Sequence, residues 1–197
     1  QSGGKLKFRN EDQVFIPDKY PSDQISVGSC NGDFTLDEIL SNIPKTLKEF
    51  LNLKKIDYEN LEVKSSFNKS KRNIWLLPSD KVIGKTKSFV DYQNDATAKD
   101  IKLALREGFR SIEHVKRYTT TGMGTDQGKL GNMHALGIIS ETTGSKMGEL
   151  GTTTFRPPYT PLTFGTIVGR NVGEYFDITR KTPIHDWHVE NKAEFEN

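Results

Sequence analysis

Between residues 5 and 30 the apolar positions come in short runs, Lys5-Leu6-Lys7-Phe8-Arg9, Gln13-Val14-Phe15-Ile16 and Gln24-Ile25-Ser26-Val27, separated by Asn10-Glu11-Asp12 and Pro17-Asp18. Such runs bounded by turn residues predict three short strands and a β-rich opening. From Thr35 the rhythm changes to helical spacing, with Leu36, Ile39, Leu40, Ile43, Leu47 and Phe50 on one face. Pro44 falls inside this stretch and is expected to bend or divide the helix. Strand feeds helix through Gly28-Ser29-Cys30-Asn31-Gly32.

Residues 52–87 are rich in Lys, Asn and Ser, with Trp75-Leu76-Leu77-Pro78 as an apolar island, the pattern of a connector draped over a surface at a domain boundary. Beyond it, Thr97-Ala98-Lys99-Asp100 reads as an N-cap with an acidic first turn, and Ile101, Ala104 and Leu105 line one face before Gly108 stops the helix. Ser111 is placed to cap a second helix with Ile112 and Val115 inward. After a glycine-rich turn at 122–128, Leu130 to Ser140 read as a third helix, which Gly144 ends. Residues 151–169, interrupted by Pro157, Pro158 and Pro161, are predicted to be extended. The expected class is α+β: a β-containing N-terminal part, a connector, a three-helix domain and an extended tail.

Lys and Arg number 28 against 26 Asp and Glu, and a net charge of +2 gives no overall field that would single out nucleic acid or a membrane surface as partner. The hydrophobic share of 34% is low, yet aromatics at 10% and recurring apolar clusters indicate a folded chain with solvated stretches. Cys30 is the single cysteine. That rules out an internal disulfide framework and any cysteine-ligated zinc or iron–sulfur centre within the chain, and makes the cytoplasm the expected compartment. No run approaches the roughly 20 apolar residues of a membrane span, and Gln1-Ser2-Gly3-Gly4 has neither region of a signal peptide. The missing initiator Met, and an end at Phe195-Glu196-Asn197 soon after an apolar segment begins, lead to the expectation of an internal piece of a longer protein.

The densest chemistry is His114-Val115-Lys116-Arg117-Tyr118-Thr119-Thr120-Thr121-Gly122-Met123-Gly124-Thr125-Asp126-Gln127-Gly128-Lys129. Basic residues, threonine hydroxyls and the amides of a starting helix suit an anion such as a phosphate. The same run also suits a plain helix–turn–helix connection whose basic residues complement a helix C-terminus. It is no Walker A loop, because Met123 stands where the first glycine belongs and Leu130 follows Lys129; nor is it a dinucleotide fingerprint, whose third glycine is replaced by Gln127. His185 and His188 could share a metal if their segment were helical, but structural or surface roles are the expectation for them, as packing or capping is for His114 and His134. Asn68-Lys69-Ser70 is a glycosylation sequon expected to stay idle. The Gly28-to-Gly32 turn is either a simple strand-to-helix link or a place where amides meet a nucleotide.

Taken together, Phe89-Val90-Asp91-Tyr92-Gln93-Asn94-Asp95-Ala96-Thr97-Ala98-Lys99-Asp100-Ile101, Arg110-Ser111-Ile112-Glu113-His114-Val115-Lys116-Arg117-Tyr118, the run from Gly122 to Lys129, and Gly151-Thr152-Thr153-Thr154-Phe155-Arg156-Pro157-Pro158-Tyr159-Thr160-Pro161 closely resemble the α subunit of heterotetrameric sarcosine oxidase. The resemblance implies that residues 1–55 are the C-terminal end of a nucleotide-binding domain like that of the disulfide reductases. It makes 56–86 a connector, 87–170 a small helical domain with an extended tail, and 171–197, with Thr182-Pro183-Ile184-His185-Asp186-Trp187-His188, the beginning of a folate-binding aminomethyltransferase-like domain.

The resemblance further implies oxidative demethylation of sarcosine to glycine. FAD on the β subunit oxidises the amine, FMN lies at the α/β interface, and oxygen becomes hydrogen peroxide. The one-carbon unit leaves as formaldehyde or, with tetrahydrofolate, as methylenetetrahydrofolate. NAD sits in the α subunit, and β, γ and δ subunits are the partners. Cys30, Asn31, Gly32, Phe34 and Thr35 are then expected beside NAD. Lys116, Arg117, Thr119, Thr120, Thr121, Gly122, Gln127 and Lys129 are expected as an anion-binding edge facing the flavin. In related amine, proline and opine dehydrogenase subunits the helical domain looks like a [2Fe–2S] module. The places of its cysteines hold Asp91, Gln93, Asp126 and Gly131 here, which implies the fold without an iron–sulfur cluster.

Overall fold

The opening segment folds as a hairpin, β1 (Lys5–Arg9) running antiparallel to β2 (Val14–Lys19). The computed structural model describes residues 3–56, 58, 63, 73–82, 85–176 and 180–195. No strand forms at Gln24–Val27, against expectation. There Gln24 N donates to the Ser22 carbonyl (2.8 Å) and Ser26 N to the Tyr20 hydroxyl (3.0 Å), so both amides are satisfied locally rather than in a ladder. A 3-10 turn at Gly28–Asn31 leads into α1 (Leu36–Phe50), which the Thr35 amide caps by donating to the Glu38 carboxylate at 3.2 Å. Pro44 does not divide α1, which remains one element. The helix buries none of its residues, and Leu36 and Phe50 are exposed.

The expected helices stand in the second half. A short hairpin of β3 (Phe89–Asp91) and β4 (Ala96–Thr97) precedes α2 (Ala98–Arg106), α3 (Ile112–Thr119), α4 (Asn132–Thr143) and α5 (Met147–Leu150). Thr97 and Asp100 form a reciprocal cap on α2, the Thr97 amide donating to the carboxylate at 2.8 Å and the Asp100 amide to the hydroxyl at 3.3 Å. Ser111 stands at the N-cap of α3, but its side chain makes no capping bond; its carbonyl receives the His114 and Val115 amides instead. Ile101, Ala104, Leu105, Ile112 and Val115 are buried as their spacing predicts, against Ala135, Leu136, Ile138 and Ile139 of α4. Each large aliphatic buried there contributes about 1.5–3 kcal/mol.

Phe8 and Phe15 of the first hairpin, and Trp75 and Leu76 of the expected connector, also pack on this core, so one unit, Gln1–Tyr159, takes in residues on both sides of the expected boundary. Trp75 reaches α4 because residue 137 is glycine; a Cβ there would strike the indole. His134 meets Trp75 edge-on at 6.0 Å and His114 meets Phe109 at 6.4 Å, the packing roles expected of both. α4 starts at Asn132 rather than Leu130, because Gln127 and Gly128 hold positive φ and Leu130 is still in the turn.

The second unit, Thr160–Asn197, carries α6 (Phe164–Val168), a kinked 3-10 segment at Arg170–Phe176 and α7 (His185–Glu190). Helix at 164–168 corrects the expectation of a wholly extended 151–169: Pro161 is the last proline before it, and the Thr163 hydroxyl caps it by accepting from Thr166 N at 3.2 Å. His185 and His188 do share a helix, yet among the described residues no group of three or more His, Cys, Asp or Glu side chains could hold a metal. No described helix is long and apolar enough to cross a membrane. The Asn68-Lys69-Ser70 sequon lies outside the described residues.

Asp91 fixes the glycine-rich turn to the β3–β4 hairpin. Its Oδ1 accepts from the amides of Gln93 (2.9 Å) and Asn94 (3.0 Å), and its Oδ2 from the amide of Gly122, 31 residues away, at 2.6 Å. Burial pushes this carboxyl's pKa up, but the donors from Gly122, Asn94 and Gln93 outweigh it and hold it below its ordinary value. Asp91→Asn turns one acceptor into a donor facing an N–H, and equilibrium urea unfolding should show a loss of roughly 1.5–3 kcal/mol. Because the folded pKa is depressed, the wild-type advantage should be complete above about pH 3.9, the unfolded value, and fade as pH falls through the folded one. A variant as stable as the wild type at pH 7 would refute the latch.

Candidate functional site

The end of α3 spends its hydroxyls on itself. Thr119 Oγ1 donates to the Val115 carbonyl (2.8 Å) and accepts from Thr121 N (3.2 Å); Thr120, at φ 61°, donates to the Thr119 carbonyl at 2.6 Å. Thr121 is buried and its hydroxyl has no partner, while the Gly122 amide is taken by Asp91. These four residues therefore shape the turn. Residue 128 has to be glycine: φ is 73°, and a Cβ would overlap the Asn132 amide, which reaches across the turn to the Gln127 carbonyl (3.1 Å) and the Thr153 hydroxyl (2.9 Å).

The remaining polar side chains converge on a partner that the sequence reading did not foresee, the extended segment Gly151–Tyr159. Lys116 Nζ lies 3.5 Å from the Thr154 carbonyl, and the Thr154 amide donates to Glu113 Oε1 at 2.7 Å. Gln127 acts as a backbone surrogate: its Oε1 accepts from Arg156 N (2.6 Å), and its Nε2 donates to the carbonyls of Arg156 (2.9 Å) and Pro158 (3.0 Å). Lys129 Nζ donates to the Tyr159 carbonyl at 2.5 Å and sits 4.0 Å from the centre of its ring. Arg117 turns back on its own helix, donating to the Glu113 carbonyl at 2.9 Å and pairing with its carboxylate at 3.3 Å.

Lys116, Gln127 and Lys129 are thus brought onto one segment, Arg117 joins them through Glu113, and the threonines stand apart as turn-formers. Glu113 and Asn132 were missed. The available signal was the row of prolines at 157, 158 and 161, which keep the segment out of helix and β-ladder and so leave its amides and carbonyls open to side chains or water. Burial raises the Glu113 pKa, but the Thr154 amide and the charges of Lys116, Arg117 and Arg156 prevail and lower it.

The other predicted group stays on its own loop. The amides of Gly32 (to Ser29 O, 3.0 Å) and Asp33 (to Gly28 O, 3.2 Å) close the 3-10 turn, and those of Phe34 and Thr35 reach Glu38 at 3.1 and 3.2 Å. Cys30 is exposed with its thiol on the Val27 carbonyl (3.2 Å), while Asn31 is half-buried. The Gly32 carbonyl accepts from Arg9 at 2.6 Å, and Arg9 also pairs with Asp12 and lies 5.9 Å over the Phe34 ring. The backbone donors expected to face a nucleotide are spent within the loop.

Residues 85–170, which hold the whole clasp, match the family described as the sarcosine oxidase A3 domain. The chain is a homologue of sarcosine oxidase α subunits. It is 50% identical over 122 residues to the sarcosine oxidase subunit alpha of Rhizobium meliloti (strain 1021), an alignment covering 62% of this chain and 12% of that protein. To the subunit alpha of Corynebacterium sp. (strain P-1) it is 36% identical over 207 aligned positions, covering 100% of this chain and 21% of the relative. The chain thus spans about a fifth of the relative that it matches along its whole length. Among solved structures it shares a fold with the L-proline dehydrogenase from P. horikoshii, with a TM-score of 0.53 and 22% identity over 86% of this chain and 36% of that one.

Removing the Gln127 amide should loosen the clasped segment without unfolding the helices. In Gln127→Ala, chymotryptic cleavage after Phe155 should accelerate about tenfold, the equivalent of roughly 1.4 kcal/mol from its hydrogen bonds, at unchanged helical circular dichroism. Glu113 adds a pH dependence: its depressed folded pKa means that its contribution is complete above about pH 4.3, the unfolded value, and disappears as pH falls through the folded one. With pepsin, which cleaves at aromatic residues in acid, wild-type cleavage at Phe155 should therefore rise relative to Glu113→Gln as pH falls through the folded pKa, because the variant lacks the titrating group. Cleavage rates indifferent to Gln127→Ala would contradict the clasp.

Proposed function

We propose that this chain works as part of the α subunit of a flavin-dependent sarcosine oxidase, supplying cofactor-adjacent and subunit-interface surface rather than the residues that oxidise the amine. The homologous α subunits support the coarse reading of an oxidoreductase subunit. In the finer one, sarcosine is demethylated to glycine on the FAD of a β subunit, and FMN lies between α and β. NAD binds in the α subunit beside residues 30–35, tetrahydrofolate binds in its downstream domain, γ and δ subunits complete the assembly, and it works in the cytoplasm. Residues 1–55 end the nucleotide-binding domain, 56–86 connect, 87–170 form the helical domain, and 171–197 begin the folate-binding domain.

The observation that supports this role is the basic edge on the matched domain. Lys116 and Lys129 each give one hydrogen bond to the clasped segment and keep further N–H donors, and the Arg117 guanidinium is exposed. That donor set fits the phosphate of a flavin, whose ring system would pass electrons; buried Thr121 would take no part. Near Cys30 the fit to a nucleotide is poorer, since the amides are spent, and contact would fall to the exposed Cys30 and Phe34 side chains. At the cluster-ligand positions, Asp91 holds Gly122, and Gln93 accepts from Asp126 N and donates to Thr125, both at 3.2 Å. Hydrogen bonds there favour a redox-silent platform.

One feature favours a second reading, a non-catalytic module that only docks partner subunits: α1 has no buried residue and presents Leu36, Leu47 and Phe50. Lys129→Ala and Arg117→Ala in the assembled oxidase separate the two, with bound FMN and subunit association measured independently. The cofactor reading expects FMN affinity to fall by about 1.5–3 kcal/mol per lost charged contact with assembly intact. Full FMN content with weakened assembly would establish docking instead.

A further inference from the structure

We propose that the cleft between the first hairpin and the segment 151–155 binds the phosphate of a small phosphorylated molecule. The first hairpin carries a bulge. Leu6 pairs with Pro17 and Lys7 with Ile16, a register that would set Lys5 opposite Asp18; an irregularity between Lys5 and Leu6 shifts it, so that Lys5 faces Lys19. Asp18 turns to Lys7 instead, at 3.7 Å. A bulge that exchanges an opposite-charge cross-strand pair for a like-charge one costs stability unless an anion lies between the cations, and bulges recur beside binding sites because they re-aim side chains.

Both lysines line one cavity of about 690 Å³, a size typical of small-molecule sites. Neither lysine has an ion-pair partner among the described residues. Thr152, Thr154 and Tyr20 supply hydroxyls to the same wall, and Phe155 an apolar surface. Two ammonium groups and nearby hydroxyls match a dianionic phosphate, and the apolar wall leaves room for an organic body.

The test uses the 197-residue chain with ADP as probe and adenosine as the uncharged control, by titration calorimetry at fixed ionic strength. Wild type should bind ADP, and Lys5→Gln with Lys19→Gln should weaken it at least about tenfold, as expected for charged contacts. Lys19→Glu keeps the test independent of folding: it should raise the ligand-free melting temperature, by restoring an opposite pair, while abolishing ADP binding. No ADP binding to wild type, equal affinity for adenosine, or undiminished affinity in the double substitution would each overturn the proposal.

Discussion

The segment Gly151–Tyr159 crosses the helical domain without a strand to pair with, and its backbone groups must still be satisfied. Two of its residues are prolines that donate nothing, so the chain turns to side chains: Glu113 and Gln127 accept from the amides of Thr154 and Arg156, and Lys116, Gln127 and Lys129 serve four carbonyls between Thr154 and Tyr159. The positions of these residues follow from that demand. Glu113 and Lys116 come from α3, and Gln127 and Lys129 from the turn before α4, so the turn has to be held in one place.

Asp91 provides that hold. A buried carboxylate is costly unless its oxygens are fully served, and here amides from both the hairpin and the glycine-rich turn serve them. The latch and the clasp are therefore in series: Asp91 places Gly122, the turn places Gln127 and Lys129, and these place the extended segment. An exposed edge carrying Lys116, Arg117 and Lys129 is the outcome, one whose shape depends on backbone hydrogen bonds rather than on a hydrophobic core.

Periodicity made α2 and α3 legible, and Thr97-x-x-Asp100 marked a helix start that the structure reproduces as a reciprocal cap. β3 and β4 were not legible, because three and two residues are too short to display alternation. The strand expected at Gln24–Val27 has the right alternation but no neighbour to pair with among the described residues. For the site, the polarity of the turn was plain in the sequence, but its occupant was not: Gln127 and Arg156 lie 29 residues apart, beyond the reach of any local pattern. Residues that looked like anion ligands, Thr119 and Thr120 among them, are explained by the local competition of threonine hydroxyls for backbone carbonyls.

Amide hydrogen exchange at Thr154 and Arg156 reads the clasp itself, since both amides lie in exposed residues outside any helix or strand and bond only to side chains. A formed clasp should protect both well above neighbouring loop amides, with protection lost at Arg156 alone when Gln127 is replaced by Ala. Exchange of both amides at the rate of an unstructured chain would contradict it.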